Sequence, residues 1–240
     1  MHEPMTMATD YLLGGVTLVL AIKLLLQGRR LGERSVMFWG VAFALSSTAA
    51  FVGGTYHAFT PSMTAPFARA LWLVTLIALS LGSLTLLIGS ILAFSPQKLR
   101  SPFLVLAVLK CLAFTVFILR KETFLYAIAE YGSTLLVILV MQLARWRTTS
   151  SGPWLIAGVF VSVIAALIQQ SGVIFHRHFN YNDLYHLVQI GAMWLIYRAG
   201  LLIRDSLPSP ACEVRSGERN AVPLPPPGRG SPRERRGEGP

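Results

Sequence analysis

Asp10, His57, Asp183 and His186 are the side chains of this sequence whose types suit metal-assisted hydrolysis. Two imidazoles with carboxylates can hold a zinc ion, which in catalytic sites takes three protein ligands and keeps a water. Zinc lowers the pKa of that water toward ~7, which supplies a nucleophile for a carbonyl. On this reading His57 and His186 bind the metal. Asp183 or Asp10 completes the shell and stands as the catalytic carboxylate. Asp183 precedes His186 by three residues, which puts both on one helical face. The competing reading is structural, because His and Asp at helix ends also cap helices or sit in the wet interface.

A second pair with chemical potential is Lys110 and Glu130, on consecutive antiparallel helices. At ~1.5 Å per residue both lie roughly 12–15 Å below the turn at 120–122. They are placed to form a buried ion pair that fixes the hairpin, or a proton relay. Lys23, near the inner end of the first helix, is expected to reach the interface along its own aliphatic stem.

The elements that position these residues follow from composition. The chain has 240 residues, 53% hydrophobic and 13% charged, with mean hydropathy +0.56. Soluble domains carry about 25% charged residues, and here the charges gather in short breaks between long apolar runs. A helix needs about 20 apolar residues to cross a ~30 Å hydrocarbon core. The pattern predicts an all-α, polytopic membrane protein of seven transmembrane helices over 11–27, 36–59, 67–94, 102–119, 124–144, 154–175 and 184–203. Prolines 61, 66, 96, 102 and 153 mark the borders. Ser80, Gly82, Ser83, Gly89 and Ser90 give the third run small residues that let helices approach in lipid.

Orientation follows Lys and Arg in short loops. The first, third and fifth loops carry Arg29, Arg30 and Arg34, Lys98 and Arg100, and Arg145 and Arg147; the second carries none. The fourth loop, with Arg120 and Lys121, dissents, and the sixth has only Arg177. The balance predicts the N-terminus outside and the C-terminus inside, in a plasma or inner membrane. That topology brings Asp10, His57, Asp183 and His186 to one depth near the outer face, with His176 and His178 in the sixth loop. The first ten residues lack Lys and Arg and contain Glu3 and Asp10, so no cleavable signal peptide is expected.

Residues 1–204 form the predicted membrane domain, and 205–240 a disordered Pro/Arg-rich cytoplasmic tail with little apolar surface to bury. The formal charge of +10 resides mainly in loops and tail, so it is read as membrane orientation rather than nucleic-acid binding. Cys111 and Cys212 fall on opposite sides and imply neither a disulfide framework nor a thiolate zinc site. There is no Gly-rich phosphate loop, nucleophile elbow or H-E-x-x-H, and helix seven holds no lysine for a Schiff base.

The run 180–187, Asn-Tyr-Asn-Asp-Leu-Tyr-His-Leu, with Gly191 and Trp194 beyond it, resembles the last-helix motif of a superfamily of seven-helix membrane hydrolases. That superfamily includes alkaline ceramidases, progestin/adiponectin receptors and proteins that remodel glycosylphosphatidylinositol anchors. Thr55-Tyr56-His57 is similar to its aromatic-His step at the end of helix two. The resemblance implies a seven-helix bundle, zinc, and a lipid amide or ester as substrate. It departs at three positions. Asn182 stands for the first histidine of the last-helix pair and Gly53 for a serine, and Ala68 and Arg69 replace the aspartate opening helix three. Three readings result: a zinc-dependent hydrolase acting on membrane lipids, a non-catalytic bundle of the same fold, and a proton-coupled carrier using Lys110 and Glu130. The lack of a two-fold hydropathy repeat weighs against the carrier.

Overall fold

With little water to compete, an apolar run satisfies its backbone polar groups internally by coiling into a helix. The computed structural model describes residues 3–145, 149–176 and 179–206. His178 and the tail from 207, Cys212 included, lie outside them. Among the described residues, seven helices run in order: α1 (Pro4–Leu31), α2 (Arg34–Phe59), α3 (Ala65–Phe94), α4 (Gln97–Lys121), α5 (Phe124–Ala144), α6 (Gly152–Ser171) and α7 (Tyr181–Gly200). A short 3-10 turn, Thr60–Ser62, leads into α3. A two-stranded hairpin, β1 (Ile174–His176) with β2 (Phe179–Asn180), leads into α7. The all-α expectation holds, and α1 to α6 are long and apolar enough to cross a membrane.

Several boundaries differ from the sequence pattern: α4 starts at Gln97, so Pro102, expected at a border, lies within its first turns, and two others have clear reasons. α1 starts at Pro4, about two turns early, because proline suits the first helical turn, where its missing N–H is not needed. Asp10 is therefore inside α1 rather than at its opening. α6 stops at Ser171, short of the expected 175, because Gly172 takes the left-handed conformation (φ 64°) that ends helices.

Packing is tightest where side chains are smallest. A Cβ on Gly89 of α3 would lie 2.7 Å from the Ser35 carbonyl oxygen and 2.6 Å from the Trp39 ring. The two backbones therefore approach only because no side chain stands between them. Trp39 fills the centre of the core with Leu24, Phe43, Leu86 and Ile91, and its Nε1–H donates to Ser90 Oγ at 3.1 Å. Ser90 in turn donates to the Leu86 carbonyl at 2.7 Å. In contrast, α4 buries only Ala107, Cys111 and Ile118.

At the other end of α7 the chain closes back on the bundle. The Asp205 carboxylate accepts the N–H groups of Arg34 (3.0 Å) and Ser35 (2.8 Å) at the start of α2. Ser206 Oγ donates to the Leu92 carbonyl at 3.0 Å, so the compact unit runs to Ser206.

Gly89→Ala is expected to destabilise the bundle by about 1–3 kcal/mol, the usual cost of overpacking against backbone. Thermal unfolding in micelles measures it, with the open-space substitution Gly15→Ala as the control that leaves stability unchanged or raised.

Candidate functional site

The start of α1, the end of α2 and the start of α7 meet at one end of the bundle, which brings together polar residues distant in sequence. His186 bridges two α1 side chains: its Nε2 lies 3.1 Å from Asp10 Oδ1 and its Nδ1 3.0 Å from Thr9 Oγ1. Thr9 Oγ1 also lies 3.1 Å from the Met5 and Thr6 carbonyl oxygens, to which a hydroxyl donates. When it does so, the His186 Nδ1–H donates to Thr9, and a single proton is shared between Nε2 and the Asp10 carboxyl. Asp10 and His186 side chains are each 8% exposed, so this pair is held away from water.

His57 is oriented by a residue the sequence reading did not include. Its Nδ1 lies 2.7 Å from Glu3 Oε2, at side-chain exposures of 24% and 32%. An ionised carboxylate only accepts, so Nδ1 carries the proton and the neutral ring keeps Nε2 as an acceptor. Glu3 is the N-cap of α1 but makes no capping bond with its side chain; the carboxylate reaches across to α2 instead. Thr9 is the other residue missed. Each is a polar side chain at the start of α1 whose importance lies in its partner, which the one-dimensional pattern does not contain.

Asp183 has a structural task. Its Oδ2 accepts the Asn180 N–H at 2.7 Å, while Asn180 Oδ1 accepts the Asn182 N–H at 2.7 Å and the Asp183 N–H at 3.3 Å. This is a reciprocal capping box that starts α7. The N-x-x-D spacing was its signal in the sequence. Asp183 Oδ1 is left buried without a hydrogen-bond partner.

The zinc expected on His57, His186 and Asp183, with Asp10, meets a different arrangement. Each histidine has a ring nitrogen on a carboxylate, and Asp183 faces its own N-cap. Among the described residues no three His, Cys, Asp or Glu side chains are grouped to hold a metal ion. The donor set does not fit zinc.

What this end does have is a cavity of about 530 Å³ running into the bundle. Asp10, His57, Tyr185 and His186 line it, as do Trp72 and Phe124. Ring centroids link Tyr56 to Trp72 (5.1 Å), Trp72 to Phe124 (6.1 Å), Phe124 to Tyr185 (6.4 Å) and Tyr185 to His186 (5.0 Å). Leu135, Leu139 and Val159 line the mostly apolar remainder, together with the hydroxyl-bearing Thr17, Ser46, Tyr131 and Ser162. Leu136 of α5 and Val163 of α6 line the cavity too, yet are 59% and 50% exposed, so it reaches the outer surface between those helices. Beside the rim, Arg69 donates to Glu122 Oε1 from Nε (2.8 Å) and Nη2 (2.6 Å). These bonds hold the exposed Glu122 carboxyl below its ordinary range. The Glu122 carbonyl accepts the Trp72 Nε1–H at 2.7 Å.

Lys110 and Glu130 come together elsewhere, between α3, α4 and α5, but not as an ion pair. Lys110 Nζ donates to the Glu130 main-chain carbonyl (3.0 Å) and to Thr134 Oγ1 (2.8 Å), and lies 3.5 Å from Ser83 Oγ. The Glu130 carboxyl makes no direct ion pair with Lys110 and has Ser80 as its side-chain neighbour.

The two histidines are expected to differ sharply in stability. His186→Ala strands a buried carboxyl and costs about 3 kcal/mol, whereas His57→Ala breaks a half-exposed pair worth about 0–1 kcal/mol. Unfolding of both variants in the same micelles checks this. Equal losses would indicate a shared ligand instead.

No curated protein and no solved structure matches this chain. A family model does match, across residues 5–205, and the chain belongs to that family, DUF6962, a family of unknown function.

Proposed function

We propose that the chain is a multi-pass membrane protein that holds one lipid-like amphiphile in the bundle cavity, headgroup toward Asp10, His57 and His186. The observation that carries this is the cavity's polarity: one polar, aromatic-rimmed end, an apolar body, and an edge at the lipid-facing Leu136 and Val163. Such a shape suits a molecule taken from the membrane rather than from water. The reading includes seven spanning helices, N-terminus outside and C-terminus inside, in a plasma or inner membrane. At ~1.5 Å per residue α7 reaches ~30 Å, the thickness of the hydrocarbon core. Its Asp183 and His186 are buried while Leu187 and Trp194 face outward, as a seventh span beside α1 and α6 requires.

The second reading is hydrolysis of a lipid amide or ester, favoured by one observation, the carboxylate-oriented imidazole at His57. With Glu3 on Nδ1, Nε2 is free to take a proton from water, the orientation a general base needs. Asp10 and His186 share a second proton within the same cavity. The likeness to the seven-helix hydrolases supports this reading at His57 and His186 only, and fold alone does not carry activity. The mechanism proposed uses these four side chains without zinc.

Gly132 lines the cavity, and a Cβ there meets nothing within 4 Å. Gly132→Phe is therefore expected to expel the occupant without unfolding the protein, and to offset some lost contacts by removing a helical glycine, worth ~1 kcal/mol. Native mass spectrometry after gentle extraction should find a bound amphiphile on the wild type and none on the variant. A wild type that carries nothing, after incubation with total membrane lipid, would sink the binding reading.

For hydrolysis, Glu3→Gln is expected to lower turnover of a lipid ester or amide about 10²-fold or more while leaving KM near its original value. Added zinc should leave the rate unchanged. Turnover equal in wild type and Glu3→Gln removes the hydrolytic reading and leaves binding.

A further inference from the structure

The headgroup end of the cavity has an unbalanced charge inventory. Asp10 lines it, and Glu3 and Asp183 lie close enough to act on Asp10 electrostatically. Asp183 Oδ1 is fully buried and unpartnered. No Lys or Arg is among the described residues that line the cavity. Among the described residues, the Arg69 guanidinium near the rim is exposed and engaged with Glu122. His57 and His186 each have a carboxylate neighbour already, so they leave no surplus positive charge.

The walls around this carboxyl are aromatic. Trp72, Phe124 and Tyr185 line the cavity in a chain of ring contacts. Aromatic faces carry negative electrostatic potential and attract cations, quaternary ammonium groups above all. Carboxyl and rings therefore favour the same sign of charge. An anionic headgroup would meet like charge in a low-dielectric site. A bare metal ion would find no group of three ligands.

We propose that the headgroup end of the cavity selects an organic cation, an ammonium carried on a single hydrocarbon chain. This rests on the cavity being an amphiphile site and adds the chemical class of its ligand. In the bound state the ammonium lies against the faces of Trp72, Phe124 and Tyr185 beside the Asp10 carboxylate. The His186 Nδ1 proton leaves to solvent, and Thr9 Oγ1 turns its hydrogen from the backbone carbonyls to the vacated Nδ1. The proton that was shared with Asp10 stays on Nε2, from which the neutral ring donates to the Asp10 carboxylate. The hydrocarbon chain runs along Leu135 and Leu139 toward the gap between α5 and α6.

The full chain in nonionic micelles is titrated with dodecyltrimethylammonium, dodecanol and laurate, and ligand-dependent stabilisation against heat reports binding. The ammonium is expected to bind about tenfold more tightly than the alcohol, and laurate more weakly than either. Asp10→Asn and Phe124→Leu should each erase the preference for the ammonium while still binding dodecanol, which shows that the cavity survives. If wild type binds ammonium and alcohol equally, prefers laurate, or keeps its preference in Asp10→Asn, the headgroup inference is overturned and the amphiphile site stands. If none of the three stabilises the wild type, and Gly132→Phe responds no differently, the amphiphile site falls and this inference with it.

Discussion

A polar side chain removed from water must find its partner within the protein, and in a bundle of apolar helices that partner is on another helix. This constraint decides which helices are neighbours here. Van der Waals contact between Leu and Val surfaces is nearly as good against lipid as against protein, so it selects weakly among arrangements. The specific contacts do the selecting. Thr9 and Asp10 tie α1 to α7 through His186, and Glu3 ties the same end to α2 through His57. Ser47 donates to the Gly14 carbonyl at 2.8 Å and fixes α2 on α1. Ser83 and Thr134, 2.7 Å apart, link α3 to α5, and Lys110 brings α4 to both. Each bond is worth about 1 kcal/mol net, yet leaving its members unpaired costs more than making it gains.

That asymmetry explains the behaviour of α4. Only three of its residues are buried, so most of its surface faces away from the bundle. Its polar attachments are the Lys110 cluster, in which the ammonium has three oxygen neighbours and lies 5.2 Å from the Phe114 ring centroid, and Thr115 Oγ1, 3.2 Å from Ser80 Oγ. Ile118 adds an apolar anchor beside Leu76 and Ala127. An ion pair with the Glu130 carboxylate would have neutralised charge; the Glu130 main-chain carbonyl and the Thr134 hydroxyl accept from the ammonium instead, at 3.0 and 2.8 Å.

The helices were legible in the sequence because lipid imposes one simple rule, a long apolar run, and nothing later in folding overrides it. The depth of the polar residues was legible as well. Asp10, His57, Asp183 and His186 do gather at one end of the bundle. Their pairing was not legible. Depth gives one coordinate, whereas contact needs the rotation of each helix about its axis, which packing sets. So Asp183, a plausible ligand by type, turns back to cap its own helix, and Glu3, well before the expected run at 11–27, supplies the partner of His57. Similar depth likewise suggested an ion pair between Lys110 and Glu130, but rotation about α5 presents the main-chain carbonyl of Glu130 to the ammonium and turns its carboxyl toward Ser80.

Small residues serve two opposite ends in this bundle, and the difference bears on function. At Gly89 and Gly158 the missing side chain admits a neighbour: a Cβ would meet the Ser35 carbonyl at 2.7 Å in the first case and Ile196 Cγ1 at 2.6 Å in the second. At Gly132 a Cβ would meet nothing within 4 Å, and this position lines the cavity together with Ala49, Ala50, Gly53 and Ala166. The cavity of about 530 Å³ is not a sealed void, because the exposed Leu136 and Val163 bring it to the outer surface between α5 and α6. The penalty of an empty core cavity therefore does not apply to it: water can bond Asp10 and His57 at the polar end and the hydroxyls of Thr17, Ser46 and Ser162 elsewhere. Where Leu135, Leu139 and Val159 form the wall, a hydrocarbon chain entering between α5 and α6 is the proposed occupant, because it would supply apolar contacts that water does not.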